Sequence, residues 1–400
     1  MNIKNIQDTE QLKSFRQETA EWLEKHCPQS MRQPLKEEQD FFWGGINATY
    51  KNEDQKLWFE AMLAKQWVVP HWPKAYGGGG LNKLENSILL QEMAKLGCRQ
   101  PIISFGIFML GPALLKFGSE EQKMEHLPKI TAGEIRWAQG YSEPNAGSDL
   151  ASLQTRAEDK GDHFLVSGQK VWTSYADKAD WIFCLVRTNT ETKHRGISFL
   201  LIDMQSEGIT TRPIKLISGK SPFCETFLDN VKVPKENLVG ELNHGWTIAK
   251  YLLTHEREMI GAMGDSKIEE PLHTTEVKAI GLENGILNDS SLRSDIAKWS
   301  INKAAFDLTM KRAMDEAKTG QSLGAASSFL KYYGTELNKT RYELLLALGG
   351  HEGLEWEGET SNEGKLARDF LRTKGNSIEG GTSEIQLNII AKHILQLPSS

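Results

Sequence analysis

The chain has 400 residues, 39% hydrophobic and 25% charged, ordinary globular values that exclude a disordered, collagen-like or coiled-coil chain and leave room for two or three cores. Lys plus Arg number 47 against 53 Asp plus Glu, and the resulting charge of −6 argues against nucleic acid or an anionic membrane as partner, because both need clustered cations. The first residues carry no apolar signal region, and no stretch approaches the roughly 18 apolar residues that span a bilayer, so a soluble, cytoplasmic protein is expected.

In chain order, residues up to about 135 read as helical. Apolar residues recur at spacings of three and four over 12–25, 55–66, 84–96 and 107–117. Pro70-His71-Trp72-Pro73 and the run Gly77 to Gly80 interrupt them, since neither suits a helix interior. From about Trp137 to Leu242 the grammar changes to short β-branched and aromatic runs between Gly, Asp and Asn turns: 164–166, 170–173, 181–187, 197–204 and 224–233. Strands at close spacing with no helix between them predict an antiparallel barrel or sandwich. Helical spacing returns over 246–263, 295–318, 326–348 and 383–395, with a polar, Gly-containing loop expected over 265–291. The four cysteines, Cys27, Cys98, Cys184 and Cys224, lie far apart with no C-x-x-C pair, which predicts reduced thiols and neither a metal site nor a disulfide frame.

Two stretches carry the chemistry. Gln139-Gly140-Tyr141-Ser142-Glu143-Pro144-Asn145-Ala146-Gly147-Ser148-Asp149 is a small-residue loop leaving a strand. Its backbone N–H groups and hydroxyls suit an anionic or carbonyl-bearing cofactor, although Glu-Pro-Asn and Gly-Ser-Asp serve equally well as plain turns. Further on, Gly168-Gln169-Lys170-Val171-Trp172-Thr173-Ser174 sets an aromatic and a hydroxyl two residues apart, on one face of a strand. That suits a planar ring cofactor, with core packing of Trp172 as the alternative.

Together these stretches resemble the S/T-E-P-x-A-G-S-D and G-x-K-x-W-[IT]-[ST] signatures of the acyl-CoA dehydrogenase family. Gly118-Ser119-Glu120-Glu121-Gln122-Lys123 with Leu127-Pro128, Gly245-Trp246, Glu256-Arg257 and Gly380-Gly381-Thr382-Ser383-Glu384-Ile385-Gln386 resemble further family motifs in the family's order, so the resemblance covers nearly the whole chain. It implies an N-terminal α-helical domain (1–135), a middle antiparallel β-barrel (136–243) and a C-terminal four-helix bundle (244–400), with FAD as cofactor. It also implies that Gln139, Tyr141 and Ser142 meet the flavin ring, that Gly147 and Ser148 lie near pyrophosphate and substrate, and that Trp172 and Ser174 lie at the ring edge and near N5. Thr382 and Glu384 would approach pyrophosphate and ribose; here local physics concurs, since Gly-Gly-Thr is a turn into a capped helix whose N-terminus attracts phosphate.

The family reaction needs a carboxylate to take the proton α to a thioester. In straight-chain members it directly precedes G-T-S, a position filled here by Gly380. Glu379 is one residue off, and one residue rotates a side chain by about 100° on a helix. An isovaleryl-type branch instead keeps its base on the first bundle helix before an Arg, which Glu256 and Arg257 match, with Arg257 at the substrate. Independently, Ala249, Leu252, Glu256, Ile260 and Met263 share one helical face, and a carboxylate in an apolar stripe is costly unless paired or used. A salt-bridged Glu256 is the alternative, Glu379 is the runner-up base, and His255 reads as a surface or packing residue. The backbone N–H of Gly380 can still serve the thioester oxyanion.

The resemblance also has a gap. Homotetrameric members hold each FAD's adenine half with a neighbouring subunit's Arg, in R-x-x-F-G, and a Gln three residues before Gly-Gly. Residues 264–295 contain no such segment, and the Gln position is Leu346. Losing an Arg fork removes a charge-assisted phosphate anchor, unless Arg293 or Lys311 replaces it. The expected protein is therefore one subunit of a heterotetramer with a related subunit, acting on a bulky steroid-derived or dicarboxylyl CoA thioester and passing electrons to an electron-transfer flavoprotein. A flavin oxidase or monooxygenase of the same fold, or a non-catalytic partner subunit, are the alternatives.

Overall fold

The computed structural model describes residues 10–35, 40–253, 285–318, 326–358 and 363–398. The chain divides into two compact units, Met1–Asn145 with Ala151–Arg212 and Cys224–Ala249, and Ala146–Leu150 with Pro213–Phe223 and Lys250–Ser400. Each is described by itself.

The first unit opens with the helices α1 (Glu10–His26), α2 (Glu53–Ala64), α3 (Lys83–Leu96), α4 (Gly111–Phe117) and α5 (Glu120–Thr131). Their starts follow the sequence closely. The Asn52 side chain caps α2, and Asn82 with Glu85 and Ser119 with Gln122 form capping boxes on α3 and α5. Gln122 does more, because its amide also donates to the Glu236 and Leu238 carbonyls and ties α5 to the end of the sheet. The predicted helix over 107–117 is split by a π-turn at Gly106–Leu110. A Cβ at Gly111 would lie 2.1 Å from the indole of the buried Trp72, so this turn is shaped around the Pro-His-Trp-Pro segment.

The strands are β1 (Trp137–Gly140), β2 (Arg156–Asp159), β3 (His163–Ser174), β4 (Trp181–Arg187), β5 (Ile197–Asp203), β6 (Ile209–Ile214) and β7 (Phe223–Pro234). They form one seven-stranded sheet in the order β1-β4-β2-β3-β7-β6, with β5 on β4. The expectation of a wholly antiparallel sheet is corrected: β1 runs parallel to β4, pairing Trp137 with Trp181 through Gly140 with Cys184, while β2–β3 and β4–β5 are antiparallel. A parallel pair needs a long crossover, and the β2–β3 excursion supplies it. β4 and β5 are buried on nearly every residue because both faces are covered. One face joins Ile182, Cys184, Leu200 and Ile202 to Phe164, Val166 and Val231. The other stacks Phe183 on Phe199, ring centroids 6.0 Å apart, with Tyr141 edge-on to both.

Residues 245–253 are helical, and Ala249 and Leu252 are fully buried. The rest of the predicted apolar stripe, with Glu256 and Arg257, lies outside the described residues, as does 265–284 of the predicted loop. The second unit contains α6 (Ser290–Lys318), α7 (Ala326–Gly349), α8 (Lys365–Thr373) and α9 (Ser383–His393). Trp299, Phe306, Met310 and Ala313 of α6 pack on Leu330, Leu337 and Leu344 of α7, and the Trp299 indole donates to the Leu337 carbonyl at 2.9 Å. α8 was not foreseen, being short, polar and entered from a left-handed Gly364. All four cysteines are free thiols. No described helix is long and apolar enough to cross a membrane.

Candidate functional site

In the first unit the site is built from the end of β1 and the middle of β3. Gln139 sits half-buried on β1, opposite Phe183. Tyr141 follows with its ring buried, and the Ser142 carbonyl accepts the Val171 N–H at 2.9 Å, which fixes the loop against β3. The remaining geometry comes from two charges that the motif reading left without a role. Lys170 is fully buried and donates to a Glu143 oxygen at 2.7 Å and to the Tyr141 carbonyl at 3.2 Å. The same Glu143 carboxylate accepts the N–H groups of Gln154 and Thr155 at 2.6 and 2.9 Å. Burial raises the carboxyl's pKa, but the Lys170 ammonium and these donors outweigh it and hold Glu143 below the ordinary carboxylate range. A buried charge must be paired; a Glu in one motif and a Lys alternating with apolar residues in the other was the signal available in the sequence.

Trp172 departs from the predicted face. Its backbone is left-handed, φ 62°, so the inward alternation of Phe164, Val166 and Lys170 slips by one residue at Thr173, whose hydroxyl is buried against Thr226 and the Cys224 carbonyl. The shared face of Trp172 and Ser174 therefore does not rest on strand period. The Trp172 side chain is nevertheless 53% exposed, a large flat surface turned outward, while Ser174 is half-buried. Core packing of Trp172 is excluded.

In the second unit, Gly147 and Ser148 are exposed, and a Cβ at Gly147 would meet nothing within 4 Å, so the loop stands open there. Glu379 is tied on both oxygens, to Arg372 at 2.8 Å and to Asn376 at 2.6 Å. Gly380 and Gly381 are left-handed, φ 65° and 92°, and lead into α9. The Thr382 hydroxyl caps that helix on the Ile385 N–H, and Glu384 lies exposed in its first turn, its carboxyl held low by its own N–H and the Thr382 hydroxyl. Among the described residues, the N–H groups of Gly380, Gly381 and Thr382 have no acceptor. A run of unsatisfied donors at the start of an 11-residue helix suits a pyrophosphate, and an outward-facing indole beside a fixed loop suits a planar ring. Each unit, taken by itself, thus presents residues that suit one part of a flavin dinucleotide. Of the alternative adenine-half anchors Arg293 and Lys311, Arg293 donates to the Leu287 carbonyl and Lys311 is exposed; Leu346, at the position of the missing Gln, is half-buried beside Gly353.

Three family models match the chain: acyl-CoA dehydrogenase N-terminal domain over residues 9–134, middle domain over 138–231 and C-terminal domain over 243–395. Acyl-CoA dehydrogenase FadE34 of Mycobacterium tuberculosis is 37% identical over 83% of this chain and 45% of its own length, so the chain spans less than half of that relative. Acyl-CoA dehydrogenase IpdE1 of Mycolicibacterium smegmatis is 32% identical over 86% of this chain and 89% of its own. Among solved structures, the Tcur3481-Tcur3483 steroid ACAD superposes with a TM-score of 0.77 at 30% identity over 100% of both chains. The ChsE4-ChsE5 complex from Mycobacterium tuberculosis does so with a TM-score of 0.70 at 28% identity, also over 100% of both.

Proposed function

The chain belongs to the acyl-CoA dehydrogenase family of FAD-dependent oxidoreductases, and from that premise we propose that it is a catalytic subunit of a heteromeric enzyme desaturating a bulky, steroid-derived or dicarboxylyl CoA thioester to the 2-enoyl-CoA. Its domains are then 1–135, a middle barrel at 136–243 and a four-helix bundle at 244–400, in a cytoplasmic protein passing electrons to an electron-transfer flavoprotein. The observation that carries the reading is that the chain builds both segments the family motifs assign to the flavin, one fixed by the buried Glu143–Lys170 pair and one turning through left-handed Gly380 and Gly381 into α9. A subunit that only completed a neighbour's site would not need either.

Bound FAD supplies the acceptor for the hydride leaving the β carbon. Gln139, Tyr141, Ser142, Trp172 and Ser174 hold its ring, and Gly147, Ser148, Thr382 and Glu384 its pyrophosphate and ribose side. The Glu256 carboxylate takes the α proton, with Arg257 beside the substrate. Support for Glu256 over Glu379 is that both Glu379 oxygens are engaged by Arg372 and Asn376, leaving that carboxylate restrained. Support for Gly380 as oxyanion donor is that its N–H lacks an acceptor among the described residues. Support for the heteromer is the missing adenine-half anchors and the likeness to two two-protein assemblies, the Tcur3481-Tcur3483 steroid ACAD and the ChsE4-ChsE5 complex.

The test is co-expression with related subunits, followed by a CoA-thioester panel with a dye acceptor. Glu256→Gln should abolish substrate-driven flavin bleaching; bleaching at the wild-type rate removes Glu256 as base. A full FAD complement in a homotetramer of this chain alone sinks the heteromer.

A further inference from the structure

Lys331, on α7, is a charge that the reaction does not use, and it is 1% exposed. Its ammonium donates to the Gly381 carbonyl at 2.8 Å. Burial pushes its pKa below the ordinary lysine range, against the opposing pull of Glu379, Glu336 and Glu384, while Lys339 pushes it the same way as burial. Gln386, on α9 and 2% exposed, donates its amide to the Gly380 carbonyl at 3.0 Å and more weakly to that of Gly381 at 3.4 Å. Its Oε1 has no partner among the described residues.

The consequence lies in the geometry of the peptide group. In a trans peptide the carbonyl of one residue and the N–H of the next point in opposite directions. The Gly380 carbonyl shares a plane with the Gly381 N–H, and the Gly381 carbonyl with the Thr382 N–H. Fastening both carbonyls turns both N–H groups the other way, where neither meets an acceptor among the described residues. Only glycine suits this arrangement: φ is 65° and 92°, and a Cβ on Gly381 would lie 2.5 Å from the Gln386 amide nitrogen. An unheld Gly-Gly pair would sample many conformations.

We propose that Lys331 and Gln386 are positioning residues that latch the Gly380 and Gly381 carbonyls inward, so that the Gly381 and Thr382 N–H groups are preset to receive the pyrophosphate oxygens of FAD. The inference rests on the FAD reading given under Proposed function. Preorganisation is where the gain arises, because donors already aimed do not have to be ordered when the ligand binds.

The test uses the full chain, in the complex it forms, stripped of flavin and titrated with FAD by quenching of flavin fluorescence. Lys331→Met and Gln386→Met should each weaken FAD binding at least about tenfold, which is about 1.4 kcal/mol. The double variant should lose less than the product of the two, because both residues hold one turn. Melting temperatures of the flavin-free proteins provide the readout that a merely structural role would move instead. If both variants melt lower but bind FAD within twofold of wild type, the latch is refuted while the FAD reading stands. If the wild-type complex binds no FAD, both fall. Should Lys331→Met fail to fold, Gln386→Met, which releases the Gly380 carbonyl while Lys331 still holds that of Gly381, decides the matter by the same titration.

Discussion

Replacing Lys170 by Met keeps the length of the side chain and removes its charge from a fully buried position. Glu143, 8% exposed, keeps its bonds from the Gln154 and Thr155 N–H groups but loses its counterion. Breaking a buried pair on one side costs about 3–5 kcal/mol, and the two surviving charge-assisted bonds place this case near the lower end, about 3 kcal/mol. Against a total stability of about 5–15 kcal/mol that is a large fraction, and for a unit of this size it corresponds to roughly 6–12 °C in melting temperature.

The sign with pH is diagnostic. In the native protein the depressed Glu143 carboxyl contributes stability that is present above the unfolded value, about pH 4.3, and lost as pH falls through the folded one. Without Lys170 the opposing effect of burial gains, the folded pKa rises, and protonation relieves the uncompensated charge. The deficit of Lys170→Met should therefore be largest near pH 7.5 and shrink toward pH 4.5, read by differential scanning calorimetry at both. A deficit of less than about 1 kcal/mol, or one equal at the two pH values, would refute the reasoning.

His126, 1% exposed between Trp137 and Trp181, has its pKa lowered chiefly by burial, so the unfolded chain binds a proton before the folded one does. Its contribution is intact above about pH 6.5 and is lost as pH falls below that; His126→Phe should flatten the fall in melting temperature between pH 7.5 and 5.5, and an unchanged slope assigns it elsewhere. Glu379→Gln should preserve flavin bleaching in stopped-flow to within about tenfold and lower stability by at most about 1 kcal/mol, because the pair with Arg372 is one-third exposed on each side. Loss of bleaching in Glu379→Gln would instead make Glu379 the base.

The order of helices, strands and helices was legible because apolar spacing records which face of each element is buried, and Thr382 marked a helix start through a purely local interaction. The site segments around Ser142, Trp172 and Thr382 were legible as motifs. Three things were not. The parallel pairing of β1 with β4 joins residues more than forty positions apart, and periodicity says nothing about which strands meet. The left-handed φ of Trp172 is invisible in a residue type that normally sits in a strand. The roles of Glu143, Lys170 and Lys331 depend on a partner brought near only by folding: the same charges would be solvated surface groups had the chain not buried them, and only tertiary structure supplies the oxygen or nitrogen that makes their burial tolerable.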